Sequence, residues 1–136
     1  MQIWKATEKE FESAFAVKGK SAFVHRLTDT AAAKATSGKA AFVAAQPADY
    51  VVTDNGHTFY AEVKSCKDVV SFPHSNIRPY QMASARRIIK AGGDFCFFIK
   101  NLNTNTWYCV PAEVIVSSEA KSTKWADIET YKWMFK

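Results

Sequence analysis

The chain has 136 residues, of which 48% are hydrophobic and 14% are aromatic. These values exclude a disordered tail and predict a single domain over residues 1–136 with a substantial hydrophobic core. No apolar run approaches the roughly 18 residues that a membrane helix needs. The formal net charge of +5 favours polyanionic partners.

The first residues lack the apolar core of a signal peptide. Three cysteines, Cys66, Cys96 and Cys109, show no spacing typical of a metal site. We expect each to be reduced and to lie within or near a strand. Both observations predict a cytoplasmic protein.

The first part of the chain predicts one helix and one strand. Residues Thr7 to Glu10 match a capping box with Thr7 as the N-cap, and apolar residues then recur at helical spacing as far as Gly19. Residues Ala22 to His25 predict a strand. The stretch from Thr28 to Ala41 shows no strand period, and it is consistent with a weak helix or with a basic loop.

An Asn-Gly pair between two β-prone runs predicts a tight hairpin. The pair Asn55-Gly56 suits a type I′ turn, because both central positions of that turn need a positive φ. With these residues in the loop, Asp49 lies opposite Glu62 on one face of the ladder. The strand period of two puts Lys64 on that face and turns the intervening apolar residues towards a core. Two opposed anions repel, and a divalent cation is one common way to offset that cost.

The second half of the chain alternates predicted helices and strands after an irregular segment. A proline suited to a first helical position begins one helix, and a Gly-Gly pair ends it. The segments in order are irregular Ser65 to Ile77, a helix from Pro79 to Gly92-Gly93, a buried strand Phe95 to Ile99, a return strand Trp107 to Val110, a short helix Pro111 to Val116, and an amphipathic helix within Lys124 to Phe135. The order α-β-β-β-α-β-β-α predicts an α/β domain with a central mixed sheet flanked by helices.

Asp49 with Glu62-Val63-Lys64 on a hairpin, after a helix that bears a glutamate, resembles the PD-(D/E)xK nuclease superfamily. The surrounding residues make the chain more similar to the RecU-type Holliday-junction resolvases. The residues that carry this likeness are Phe11-Glu12, Asp49-Tyr50, Glu62-Val63-Lys64, Ser71-Phe72-Pro73, Asn76-Ile77, Gln81 and Lys121-Ser122. The resemblance implies a restriction-endonuclease-like core and phosphodiester hydrolysis.

The resemblance also implies site residues and a cofactor. Mg²⁺, for which Mn²⁺ substitutes, supplies charge neutralisation and lowers the pKa of bound water. Asp49 and Glu62 are the expected carboxylate ligands, and Gln81 resembles the amide contact of the family. Lys64 is expected to hold the attacking water or to stabilise the developing charge. Glu12 is the candidate for a second cation, and no organic cofactor is expected.

Two departures from the family bear on the substrate. Members usually carry a hydroxyl residue two places before the aspartate, and this chain has Pro47 there, which offers only its carbonyl. Members also carry a long projecting stalk before the aspartate, and the segment from Thr28 to Gln46 leaves room for only a short one. Of the properties that the resemblance implies, selectivity for junctions is therefore the one that these departures support least.

Several basic and polar side chains are candidates for sequence-independent contacts with DNA phosphates. They are Arg26, Lys34, Lys39, Lys67, Ser71, His74, Arg78 and Arg86. The alternative for these residues is an ordinary solvated face. The four tryptophans lack the interleaving with basic residues that is typical of a stacking platform for single strands, and we interpret them as core or interface residues.

The resulting hypothesis is a Mg²⁺-dependent, structure-selective DNA endonuclease, most simply a Holliday-junction resolvase in recombination. Because a four-way junction has two-fold symmetry, paired nicks imply a homodimer. The short chain suits a phage version in an infected cell. One alternative is a restriction-like or replication-linked nuclease of the same fold, and another is a catalytically silent nucleic-acid-binding module.

Overall fold

The computed structural model describes residues 2–27 and 46–134. The predicted weak helix or loop, with Lys34 and Lys39, lies outside them. In chain order the elements are α1 Ile3–Ala16, β1 Ala22–Arg26, β2 Tyr50–Asp54, β3 His57–Cys66, β4 Ser71–Pro73, α2 Pro79–Lys90, β5 Phe95–Asn101, β6 Thr106–Pro111, α3 Ala112–Val116 and β7 Ser122–Lys124.

Five strands form the main sheet in the order β1-β2-β3-β5-β6. The first three strands are antiparallel, β3 runs parallel to β5, and β6 returns antiparallel to β5. Helix α2 lies between β3 and β5 in sequence and makes the crossover that a parallel pair requires. The prediction of a mixed sheet flanked by helices is confirmed.

The β2–β3 hairpin has the register that its turn residues predicted. Asn55 and Gly56 have φ values of 54° and 85°, and Asp54 pairs with His57 at the end of the ladder. The pairing stops at Tyr50, which lies opposite Ala61. Asp49 is therefore the first residue beyond the ladder, and its side chain lies beside Glu62 and Val63.

Each face of the sheet carries its own hydrophobic core. On one face, α1 packs Phe11 and Phe15 against residues that include Tyr50 and Phe98. On the other face, α2 and α3 pack against a second cluster, to which Phe97 belongs. The adjacent residues Phe97 and Phe98 thus enter opposite cores, which confirms that β5 is buried on both faces. The predicted inward set of β3 is also buried, namely Phe59, Ala61 and Val63.

Helix α1 begins earlier than the sequence analysis predicted. Gln2 is the N-cap, and Thr7 lies inside the helix, where its Oγ1 donates to the Ile3 carbonyl at 3.0 Å. The predicted capping box is therefore wrong, because Thr7 bonds back to the preceding turn instead of capping it. Glu10 instead accepts hydrogen bonds from side chains of β5 and β6, Lys100 and Trp107.

The prediction of an amphipathic α-helix in the tail is also wrong. Residues Trp125–Tyr131 form two short 3₁₀ turns that meet at a kink at Ile128, and the preceding β7 pairs with β4 in a separate two-stranded sheet. Trp125 and Ile128 are both buried, and an i, i+3 apolar spacing suits a 3₁₀ turn as well as an α-helix. The segment predicted to be irregular contains β4. The sequence analysis missed this strand because its pairing partner, β7, lies far away in sequence.

Two further features concern the length of the helices and the state of the cysteines. None of the helices within residues 2–27 and 46–134 is long and apolar enough to cross a membrane. Cys66, Cys96 and Cys109 are free, and each lies in a strand of the main sheet, as predicted.

Candidate active site

A cleft of about 770 Å³ opens beside the end of the β2–β3 hairpin. The first two turns of α1 line one side, and the start of α2 lines the other. Its polar and aromatic lining includes Trp4, Glu8, Arg26, Asp49, Glu62, Lys64, Arg78, Tyr80 and Gln81. Four of the five predicted catalytic residues therefore share one cavity.

Asp49 and Glu62 are tied together through each other's backbone. The Asp49 N–H donates to Glu62 Oε1 at 3.1 Å, and the Val63 N–H donates to Asp49 Oδ2 at 2.9 Å. The Asp49 carboxylate thus takes the Val63 N–H just beyond the point where the β2–β3 ladder ends. This arrangement fixes both carboxylates at the mouth of the hairpin, as the register predicted.

The pKa values of Asp49 and Glu62 are raised, because burial disfavours their ionised forms more than the nearby cations favour them. Glu62 is only 1% exposed, and burial followed by the nearby charge of Asp49 raises its pKa to about 8. Burial also raises the pKa of Asp49. Lys64 Nζ lies 3.3 Å from Glu62 Oε2, and its charge acts on both carboxyl groups. Lys64 acts on the buried Glu62 and the half-buried Asp49, and Arg26 acts on Asp49 as well. Burial nevertheless favours the neutral form of each carboxyl group.

Gln81 supports Glu62 from the first turn of α2. Its Nε2 donates to Glu62 Oε2 at 2.7 Å, and its Oε1 accepts from the Arg78 N–H at 2.9 Å as part of a capping box. The amide oxygen therefore faces the helix terminus. This orientation does not support the predicted role of Gln81 as a metal ligand, because the group directed at the carboxylates is a donor.

The glutamate of α1 that enters the cleft is Glu8, not the predicted Glu12. Glu12 is exposed and accepts from the Tyr50 hydroxyl at 2.6 Å outside the cleft. Glu8 lies one turn earlier on the same helical face, and burial and the charge of Asp49 raise its pKa. Arg26 Nη1 pairs with Glu8 at 2.6 Å. The sequence analysis missed Glu8 because the capping box placed it in the first turn; its i, i+4 spacing to Glu12 was the available signal.

The predicted DNA contacts divide by position. Arg26 and Arg78 line the cleft, although Arg26 is already paired with carboxylates. Arg86 is exposed on α2, and Lys67 is exposed just after β3; neither lines the cleft. The structure brings together the two arginines and the carboxylates but leaves Arg86 and Lys67 on other surfaces.

His74 and Ser71 belong to the small β4–β7 sheet region outside the cleft. His74 Nε2 lies 2.7 Å from Thr123 Oγ1, and burial lowers the pKa of the imidazole. The Ser71 N–H donates to Asp68 Oδ1 at 3.0 Å. The ring of His74 is thus held by a neighbour, so the structure does not support its predicted phosphate contact.

The donor chemistry of the cleft fits a hard divalent cation. Within the part of the chain that the structure describes, no group of three or more His, Cys, Asp and Glu is arranged to hold a metal. Mg²⁺, however, is commonly bound by one or two carboxylates, with waters and substrate phosphates completing its octahedron. Asp49 and Glu62 form such a pair, and a bound cation would offset the burial and the mutual repulsion that disfavour their ionised forms.

A mixed sheet flanked by helices, with Asp49, Glu62 and Lys64 at one hairpin, defines the chain as a restriction-endonuclease-like protein of the PD-(D/E)xK type. The family model described as "RecU: Recombination protein U" matches residues 2–135. The chain therefore belongs to the RecU family, and the family prediction is confirmed. This membership supports the predicted Holliday-junction resolvase function, and with it nuclease activity.

The fold is similar to that of a solved structure, the Holliday-junction resolvase Hjc of Archaeoglobus fulgidus. The match has a TM-score of 0.59 at 12% identity and covers 97% of this chain and 91% of that chain. At this identity the likeness bears on the fold alone, and it confirms the predicted restriction-endonuclease-like core. No curated protein matches the chain.

Proposed function

We propose that the chain is a divalent-metal-dependent endodeoxyribonuclease, with Mg²⁺ as its metal, that makes paired nicks in four-way DNA junctions. The observation that carries the proposal is the Asp49–Glu62 pair, which lies beside the Lys64 ammonium and lines a cleft. Asp49 and Glu62 would hold the cation, and Mn²⁺ would substitute for it. When bound, the cation would neutralise the attacked phosphate and lower the pKa of a bound water.

Lys64 is the candidate for charge stabilisation at the reacting phosphate. Its side chain is 19% exposed with Nζ 3.3 Å from Glu62 Oε2, and it lines the cleft together with both carboxylates. A compact ammonium in a partly dry site acts strongly on developing negative charge. We assign Lys64 to hold the attacking water or to stabilise that charge, as the family resemblance implies.

Glu8 replaces Glu12 in the proposed catalytic set. It lines the cleft with Asp49 and Glu62. Glu12 does not line the cleft, and its carboxylate interacts with Tyr50 and Arg26. Glu8 is therefore our candidate for a second cation contact, directly or through water. Gln81 is assigned as a positioning residue, because its donor nitrogen faces Glu62.

Phosphate contacts would come first from the arginines beside the cleft. Arg78 is exposed at the start of α2 and lines the cavity, so we assign it to the DNA strand near the reacting phosphate. Contacts of this kind give affinity without sequence readout. The two-fold symmetry of a junction implies that two copies of this single-domain chain act as a homodimer in the cytoplasm.

The test is cleavage of a four-way junction by purified protein, compared with linear duplex arms of the same sequence, in Mg²⁺ and in EDTA. We expect symmetric nicks in the junction that depend on the metal, with little cutting of the duplex. Equal cutting of both substrates would replace the resolvase with a restriction-like or replication-linked nuclease. Tight junction binding without cleavage in Mg²⁺ or Mn²⁺ would indicate the catalytically silent module.

A further inference from the structure

We propose that Trp4 and Tyr80 form an aromatic pair that contacts unstacked bases of branched DNA beside the reacting phosphate. The pair would favour branched over linear DNA without reading sequence. This inference rests on the proposed function, because it takes the cleft to be the place where a DNA strand is cut.

Both rings lie at the cleft and are open to solvent. Trp4 is 50% exposed and Tyr80 is 44% exposed, and both line the cavity that holds Asp49 and Glu62. Trp4 lies one helical turn before Glu8 on α1, and Tyr80 directly precedes Gln81 on α2. One aromatic ring therefore stands on each side of the carboxylates.

The exposure of Trp4 contrasts with that of tryptophans that serve the core. Trp107 and Trp125 are 4% and 6% exposed, as expected of core tryptophans. Trp4 is 50% exposed and does not belong to the core, so of the predicted core and interface roles only that of an interface residue fits it. Lys5 Nζ lies 5.4 Å from the Trp4 ring centroid, so a cation accompanies the ring, as is typical of surfaces that bind a nucleotide.

The state of the bases decides what such rings can contact. In linear duplex the base faces are stacked on one another, so an aromatic side chain has nothing to stack on. Unpaired or strained bases at a branch are the least costly to unstack. Stacking on aromatic residues tolerates any sequence, because every base has a π-face. The pair therefore provides structural selectivity that does not need the long stalk of other family members.

The test measures junction and duplex affinity separately for Trp4→Leu and Tyr80→Leu. An Asp49→Asn background prevents cleavage, and a 2-aminopurine at the branch point reports stacking by its fluorescence. We expect each variant to weaken junction binding by about 5- to 100-fold, to change duplex affinity by less than about twofold, and to abolish the fluorescence change at the branch.

Phe23→Leu is the matched control, since Phe23 is 68% exposed on β1 and does not line the cleft. It should leave both affinities and the fluorescence change intact. Equal weakening on junction and duplex, or none, would overturn the aromatic pair even if wild-type protein cuts junctions. If the two variants lose junction affinity selectively while wild-type protein never cuts junctions, the aromatic pair would be retained and the nuclease proposal rejected.

Discussion

Two acidic clusters on adjacent parts of the molecule have nearly the same composition and different electrostatics. In the arginine cluster, Glu8 and Glu12 meet Arg26 at 2.6 and 3.5 Å. In the carboxylate centre, Asp49 and Glu62 share Lys64. The Arg26 side chain is 52% exposed, whereas that of Lys64 is 19% exposed. Water and a forked guanidinium offset the charge of the first cluster, whereas in the second burial and the charge of Asp49 raise the pKa of Glu62 to about 8. A bound cation would therefore stabilise the ionised forms most in the second cluster.

The largest effect should follow from neutralising the carboxylate centre. Asp49→Asn or Glu62→Gln should reduce metal-dependent junction cleavage by about 10³-fold or more, because a ligand of the cation is lost. At pH 8.5 without metal, where Glu62 is largely ionised, the same changes should raise the melting temperature, since each removes one anion from a repelling pair. Gel assays and thermal denaturation measure the two effects.

Glu12→Gln is the control for this pair of changes, because Glu12 is an exposed carboxylate in the arginine cluster. It should retain cleavage within about tenfold. If Glu12→Gln were as inactive as Glu62→Gln, the assignment of Glu8 as the glutamate of the cleft would be wrong.

The second prediction concerns pH and metal removal. Because the folded-state pKa of Glu62 is raised from 4.5 to about 8, its contribution favours the fold most below pH 4.5 and is lost as pH rises through about 8. Added Mg²⁺ requires the ionised carboxylates and should restore stability at the alkaline end. We expect about 2.7 kcal/mol when Mg²⁺ is present at about 100 times its dissociation constant.

Thermal denaturation at pH 6 and pH 8.5, with Mg²⁺ or EDTA, measures this linkage. The stabilisation by Mg²⁺ should be larger at pH 8.5, and Glu62→Gln should abolish most of the difference. A Mg²⁺ effect that is the same at both pH values would show that Glu62 does not bind the cation in its ionised form.

The sequence predicted the carboxylate centre because its geometry is local. Asn55-Gly56 fixes a two-residue turn, and the strand period then places Glu62 beside Asp49 without any tertiary information. The burial of β5 on both faces needed only its apolar run. Local turn chemistry and periodicity were sufficient for these features.

The parts that the sequence could not predict depend on distant contacts. Helix α1 begins at Ile3, before the capping-box pattern, so that pattern misplaced the start of the helix and with it Glu8. Strand β4 exists only through pairing with β7, about 50 residues away. The direction of the Gln81 amide depends on the Arg78 N–H and on Glu62 together, and residue type alone does not distinguish a metal ligand from a donor.

The third prediction separates these two roles of Gln81. Gln81→Leu removes the N–H that favours the ionised form of Glu62, so the pKa of Glu62 should rise further. Metal affinity should fall by about 10- to 100-fold, and the pH midpoint of metal binding should move upward. Isothermal titration calorimetry across pH measures both; Ser84→Ala, on the same helix outside the cleft, is the control. An affinity loss without a midpoint shift would favour direct ligation instead.

The smallest effect on stability and Mg²⁺ affinity should come from removing the guanidinium charge of the arginine cluster. Arg26→Gln leaves Glu8 beside Asp49 without its guanidinium, so negative potential in the cleft should increase. Because Arg26 is half exposed, the change should cost at most about 1 kcal/mol of stability and strengthen Mg²⁺ binding by about two- to fivefold.

Lys18→Gln is the matched control, since it breaks an exposed ion pair with Asp54 at 2.6 Å outside the cleft. It should alter stability by a similar small amount and leave metal affinity unchanged. Weaker Mg²⁺ binding in Arg26→Gln alone would mean that Arg26 acts by positioning Glu8 and not by neutralising it. The charge balance of the two clusters would then be less important than the geometry that Arg26 imposes.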